Sequence, residues 1–199
     1  MANLSSPRRI GVMGGTFDPI HVGHLIVASE ALHALNLTEI VFVPAAAPWQ
    51  KNPVESAAHR LTMTTLATQH EPRFSVSDVD VRRGGNTYTV DTLNDLAVEH
   101  PDASLFLLVG SDALAGMGTW KEPERLFSQA NVVCLERPGS HSVNHDSLPG
   151  EVTFLRVPAI DISSSDCRDR LRYGRPVRYM VTESVHAYIE KNDLYRRHS

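Results

Sequence analysis

His21 and His24 stand three residues apart at the close of GGTFDPIHVGH, residues 14–24. Imidazoles at that spacing share one face of a helix start, where each can donate a hydrogen bond to an anion. A nearby anion would in turn favour their protonated form. The stretch opens on Gly14 and Gly15, whose lack of a side chain lets the backbone come close to a ligand. A helix beginning near His21 turns its unpaired amides and the positive end of its dipole toward that turn, which favours a phosphate. Neither GxxxxGK[ST] nor GxGxxG is present, so this is a phosphate site of another kind. On the residues alone two alternatives stay open. One is a pair of histidines that cap or pack a helix end. The other is an HxxH metal pair, although no third ligand lies nearby in sequence.

Two more polar stretches carry chemistry: VGSD at 109–112 and ISSSDCR at 162–168. The elements around them place all three. Short apolar runs at Arg9–Met13, Ile40–Val43, Leu105–Val109, Asn131–Leu135 and Thr153–Val157 read as strands, and Phe74–Val81 alternates like a strand with one exposed face. Apolar residues at helical spacing predict helices over Gly23–Leu35, His59–Thr68, Thr89–Glu99, Ser163–Tyr173 and Glu183–Asn192. Pro44–Pro53 and Arg137–Gly150 read as loops. The alternation predicts an α/β fold, a Rossmann-like, doubly wound, mostly parallel sheet with helices on both faces. Such sheets take ligands beyond the carboxyl ends of their strands. All three polar stretches fall there.

The bulk properties are those of an ordinary globular chain. Its 199 residues, expected as one domain over 1–199, are 42% hydrophobic and 21% charged, with a formal charge of −4. That balance offers no basic face for nucleic acid. Cys134 and Cys167 have neither metal spacing nor disulfide density, which points to a cytoplasmic location. No window has the length and apolarity of a signal peptide or membrane span.

GGTFDPIHVGH resembles the GxFDPxHxGH signature of the nucleotidyltransferases related to class I aminoacyl-tRNA synthetases. With GGNTYTVDTL, VGSD followed by Trp120, ERPG, and the long stretch from ISSSDCRDRL to KNDLY, the chain is similar, from about Gly11 to Tyr195, to the bacterial nicotinate mononucleotide adenylyltransferases. The resemblance implies transfer of the adenylyl group of ATP to nicotinate mononucleotide, with Mg²⁺ carried by the nucleotide. Sibling pantetheine-phosphate adenylyltransferases and cytidylyltransferases share the first signature, and a non-catalytic nucleotide sensor is a further alternative. Self-association is left open.

By that resemblance His21 and His24 contact ATP phosphates, and Gly14, Gly15, Thr16 and Phe17 line the nucleotide turn. Gly110 and Asp112 lie near the ribose. Ser164, Ser165 and Arg168, in the position of ISSTxIR, hold phosphates, and the C-terminal helices from about 163 pack on the sheet edge and complete the ATP site. Ser165 stands for the usual Thr, and Cys167 for the usual Ile, a packing change. Tyr88, Thr89 and Trp120 take the nicotinate ring. Pro48-Trp49-Gln50-Lys51 departs from a PPHK-like loop. Lys51 is retained as a catalytic cation with His21, His24 and Arg168, while Trp49 covers the acceptor site or fills it when empty.

Overall fold

The computed structural model describes residues 7–48, 52–138 and 148–196. Trp49 and Lys51, and most of the 137–150 loop, lie outside the described residues. In chain order the elements are β1 (Arg8–Gly15), α1 (Val22–Ala34), β2 (Glu39–Pro44), β3 (Ala47–Pro48), α2 (Ala57–Thr68), β4 (Phe74–Val76), α3 (Val79–Arg83), β5 (Asn86–Thr87), α4 (Thr89–Glu99), β6 (Ala103–Gly110), α5 (Ser111–Ala115), α6 (Pro123–Gln129), β7 (Asn131–Glu136), β8 (Val152–Arg156), α7 (Ser164–Arg172) and α8 (Glu183–Lys191).

Six strands form one sheet in the order β4-β2-β1-β6-β7-β8, and every neighbouring pair is parallel. β3 and β5 pair separately. The near-continuous apolar runs follow from burial on both faces. In β6, Phe106 and Leu108 join a core layer with Ala28 of α1, Met63 of α2, Cys167 of α7 and Ile189 of α8. Leu105, Leu107 and Val109 face the other way, against Leu93 of α4, Leu114 of α5 and Leu126 of α6. The sheet is therefore doubly wound. From β1 the chain goes to β2 on one side and later to β6 on the other, so a crevice opens where β1 and β6 end.

One expected strand is shorter than its pattern. Phe74–Val81 pairs with β2 only through Val76, opposite Phe42, and Val79–Arg83 is a helix. The ladder stops because β2 ends on Pro44, which has no N–H to donate. Val79 then turns into the core. The helices α5 and α6, of 5 and 7 residues, are too short to show a helical period in sequence.

Candidate active site

Two adjoining cavities occupy the crevice. The larger, about 760 Å³, is walled by Met13, Gly14, Gly15 and Phe17 on one side and Gly110 and Asp112 on another, and closed by α7. The smaller, about 200 Å³, lies beside the start of α4. Gly14, Gly15, Thr16 and Trp120 line both. The structure thus brings His21, His24, Ser164, Ser165 and Arg168 to the larger cavity, and Tyr88 and Thr89 to the smaller. Asp112 is in the first turn of α5, whose N-cap is Gly110, and so stands on the cavity wall rather than capping the helix.

His21 is the N-cap of α1 and is 5% exposed. Its backbone N–H donates to His24 Nδ1 at 3.2 Å. A ring nitrogen that accepts from an amide carries no proton, so His24 is neutral, with its hydrogen on Nε2. The two rings stack, centroids 3.7 Å apart, and the edge of Phe17 meets His24 at 5.1 Å. His21 Nδ1 is buried and meets no partner among the described residues. Burial, and then the Arg137 cation, pull the His21 pKa down to about 4. The free protein therefore holds His21 neutral, and a bound anion would have to overcome that burial to charge it.

The glycines have separate reasons. A Cβ on Gly23 would come 3.0 Å from His21 Nδ1, so the glycine makes room for the folded-back ring. A Cβ on Gly15 would meet the Phe17 ring at 2.8 Å. Gly14 has nothing within 4 Å and leaves the cavity floor open. The amides of α1 are fewer than its sequence suggests, since Val22 N–H is spent on the Met180 carbonyl at 2.8 Å.

α7 is laced to the same turn. Its N-cap Ser163 accepts from Asp166 N–H at 3.0 Å. Ser164 donates its hydroxyl proton to the Pro19 carbonyl at 2.9 Å, so that proton serves the fold in the free protein. Arg168 donates to the Asp18 carbonyl at 2.7 Å and to Ser165 Oγ at 3.0 Å. A guanidinium has five N–H donors, so Arg168 keeps capacity for a phosphate. Cys167 is fully buried and burial pushes its thiol up to about 11, which makes it a packing residue.

At the smaller cavity Tyr88 is the N-cap of α4 and Thr89 its first residue. The helix thus begins at the cavity wall, with first-turn amides suited to a carboxylate. The Trp120 indole Nε1 is buried without a hydrogen-bond partner among the described residues.

This chain matches the family described as cytidylyltransferase-like over residues 12–170. It is 53% identical over 189 residues to a Leifsonia xyli protein named "Probable nicotinate-nucleotide adenylyltransferase", covering 94% of each. A Streptomyces coelicolor protein of the same name is 52% identical, covering 92% of this chain and 99% of that one. The chain belongs to the nicotinate-nucleotide adenylyltransferase family. Its fold matches that of a Plasmodium falciparum nicotinic acid mononucleotide adenylyltransferase complexed with NaAD, at a TM-score of 0.79 and 22% identity, over 94% of this chain and 97% of that one.

Beneath the adenylyltransferase crevice lies a buried polar network built on Arg60, a residue of none of the motifs above. Arg60 on α2 is 0% exposed and donates to three main-chain carbonyls: Thr16 at 2.7 Å, Ala46 at 2.9 Å and Glu55 at 3.1 Å. Thr16 lines both cavities, so this arginine holds the shared wall from behind. Asp18 accepts from Val54 N–H at 2.6 Å and from the Tyr195 hydroxyl at 2.7 Å. Burial lowers Arg60 below the usual arginine range, while Asp18 and Tyr195 act to raise it. Burial, then the Asp18 charge, raise Tyr195, which stays protonated as a donor.

Sequence reasoning also missed Arg137 on the larger cavity and Asp80 and Lys121 on the smaller. The ERPG stretch was the signal for Arg137. For Asp80, Arg83 is a local i,i+3 partner within α3, but Thr92, whose hydroxyl donates at 2.6 Å, comes from α4, which no local pattern joins to it.

Proposed function

We propose that this enzyme transfers the adenylyl group of ATP to nicotinate mononucleotide, giving deamido-NAD and pyrophosphate in cytoplasmic NAD biosynthesis, and that residues 1–199 work as one domain. The observation that carries this reading is the pair of cavities meeting at Gly14, Gly15 and Thr16. The larger suits a triphosphate, with two imidazoles, Arg137 and Arg168 around it. The smaller suits a flat ring beside Trp120 with a carboxylate at the start of α4. Two substrates held in touching cavities present one phosphate to another.

The reaction is in-line attack by the mononucleotide phosphate on the α-phosphorus of ATP, with pyrophosphate leaving. Such transfer rests on positioning and charge stabilisation, with no need of a covalent nucleophile. His24 offers Nε2–H, His21 a second imidazole from the same helix start, and Arg168 a fork for the phosphates. Lys51 adds a cation. Among the described residues no three His, Cys, Asp or Glu side chains gather to hold a metal. The Asp18 carboxylate is already spent on Val54 and Tyr195. Mg²⁺ therefore fits as an ion brought by ATP on its phosphate oxygens and water, neutralising the leaving group.

An acceptor panel with ATP and Mg²⁺ tests the reading by pyrophosphate release. Nicotinate mononucleotide should exceed nicotinamide mononucleotide, and phosphopantetheine, or CTP in place of ATP, should give little. No product with nicotinate mononucleotide would refute it.

A further inference from the structure

Lys121 follows Trp120 directly and lines the smaller cavity. Its ammonium lies 2.9 and 3.2 Å from the two carboxylate oxygens of Asp91 and 5.0 Å from the centre of the Tyr88 ring. Asp91 occupies the first turn of α4, the helix whose opening amides face the acceptor. An acid in that place steadies the helix dipole. It also sets a negative charge beside the spot where the acceptor's carboxylate must sit, and like charges brought together cost affinity. The acid in the cavity lining itself, Asp80, is compensated from behind by Arg83 and by the Thr92 hydroxyl. The cation matched to Asp91 is Lys121.

We propose that Lys121 is a specificity-determining residue. By cancelling Asp91 in the first turn of α4, it lets the enzyme favour a mononucleotide bearing a ring carboxylate over its carboxamide counterpart. The inference rests on the acceptor reading above and adds to it a side chain that senses acceptor charge. Both side chains are part-exposed, 40% for Lys121 and 31% for Asp91, so solvent screens the effect. A change of about two- to fivefold in acceptor preference follows, rather than loss of activity.

The test compares kcat/KM for nicotinate and nicotinamide mononucleotides in wild type, Lys121→Met, Asp91→Asn and the double variant. Lys121→Met should lower the ratio of the two by about two- to fivefold, with the KM for ATP unchanged. Adding Asp91→Asn should restore most of that ratio, because the uncompensated charge is then gone. A merely structural role would lower both acceptors alike and would not be rescued by removing the acid. An unchanged ratio in Lys121→Met, or no recovery in the double variant, overturns the inference. Wild-type enzyme that fails to use nicotinate mononucleotide would instead overturn the acceptor reading, so the two failures are distinct.

Discussion

His21 gives the sharpest physical prediction, because its burial sets a proton balance that can be measured without substrate. The imidazole ionises near 6.5 when unconstrained and near 4 in the fold, where burial and then Arg137 oppose its charge. Above pH 6.5 both states are neutral and pH has no leverage through this group. As pH falls from 6.5 toward 4, the unfolded chain takes a proton that the folded protein refuses, and stability is lost. Below 4 both are protonated and the loss is complete. At about 1.4 kcal/mol per pH unit, the full span is worth about 3 kcal/mol. His21→Gln keeps a polar side chain but cannot titrate. The assay is urea unfolding of wild type and His21→Gln at several pH values between 7.5 and 3.5. Other acids titrate equally in both proteins, so the stability difference isolates His21. It should move in favour of His21→Gln by about 3 kcal/mol across that range. Parallel stability curves would refute the argument and place His21 in a solvated setting.

His24→Ala should lower kcat by about 10²-fold, as removal of a transition-state donor does, and should also remove the acceptor for His21 N–H. That lost cap costs about 1 kcal/mol, a fall of roughly 2–4 °C in Tm; near-normal turnover with only the Tm loss would make His24 a capping residue. Arg60→Met should strip the buried guanidinium's donors from three part-buried carbonyls, costing about 3 kcal/mol. The survivors should show raised KM for both substrates, read by a melting curve and steady-state kinetics, and a wild-type melting point would remove Arg60 from the support of the crevice.

Much of the sheet was readable because both its faces are covered. β1, β2, β6 and β7 are apolar runs bounded by glycine, proline or polar residues, and burial on two sides leaves no other composition open to them. The cavity wall was readable for a different reason. Gly15, Phe17, Gly23 and His21 interlock within ten residues, so their spacing records contacts that the structure then displays. Arg60 was not readable. An arginine in the first turns of a helix looks like a solvated face, and only in three dimensions do the carbonyls of Thr16, Ala46 and Glu55 converge on it. The end of β4 was marked only faintly, by the adjacent polar pair Ser77-Asp78 that breaks the alternation of Phe74–Val81, while its pairing depends on Pro44, earlier in the chain. Lys121 was silent because its meaning lies in Asp91, a residue of α4, 30 positions earlier.

The bond from Tyr195 to Asp18 joins residues 177 positions apart. During synthesis Asp18 is therefore made long before the hydroxyl that donates to it. A nascent chain stopped after β8 would carry both histidines and the whole six-stranded sheet, with Asp18 held by the amides of Val54 and Glu55 but not yet by Tyr195. Contacts of such long separation are costly to close and form late. The closing of the crevice by α7 and the tie from Tyr195 to Asp18 would therefore come late in the folding of each molecule, after the sheet that supports them.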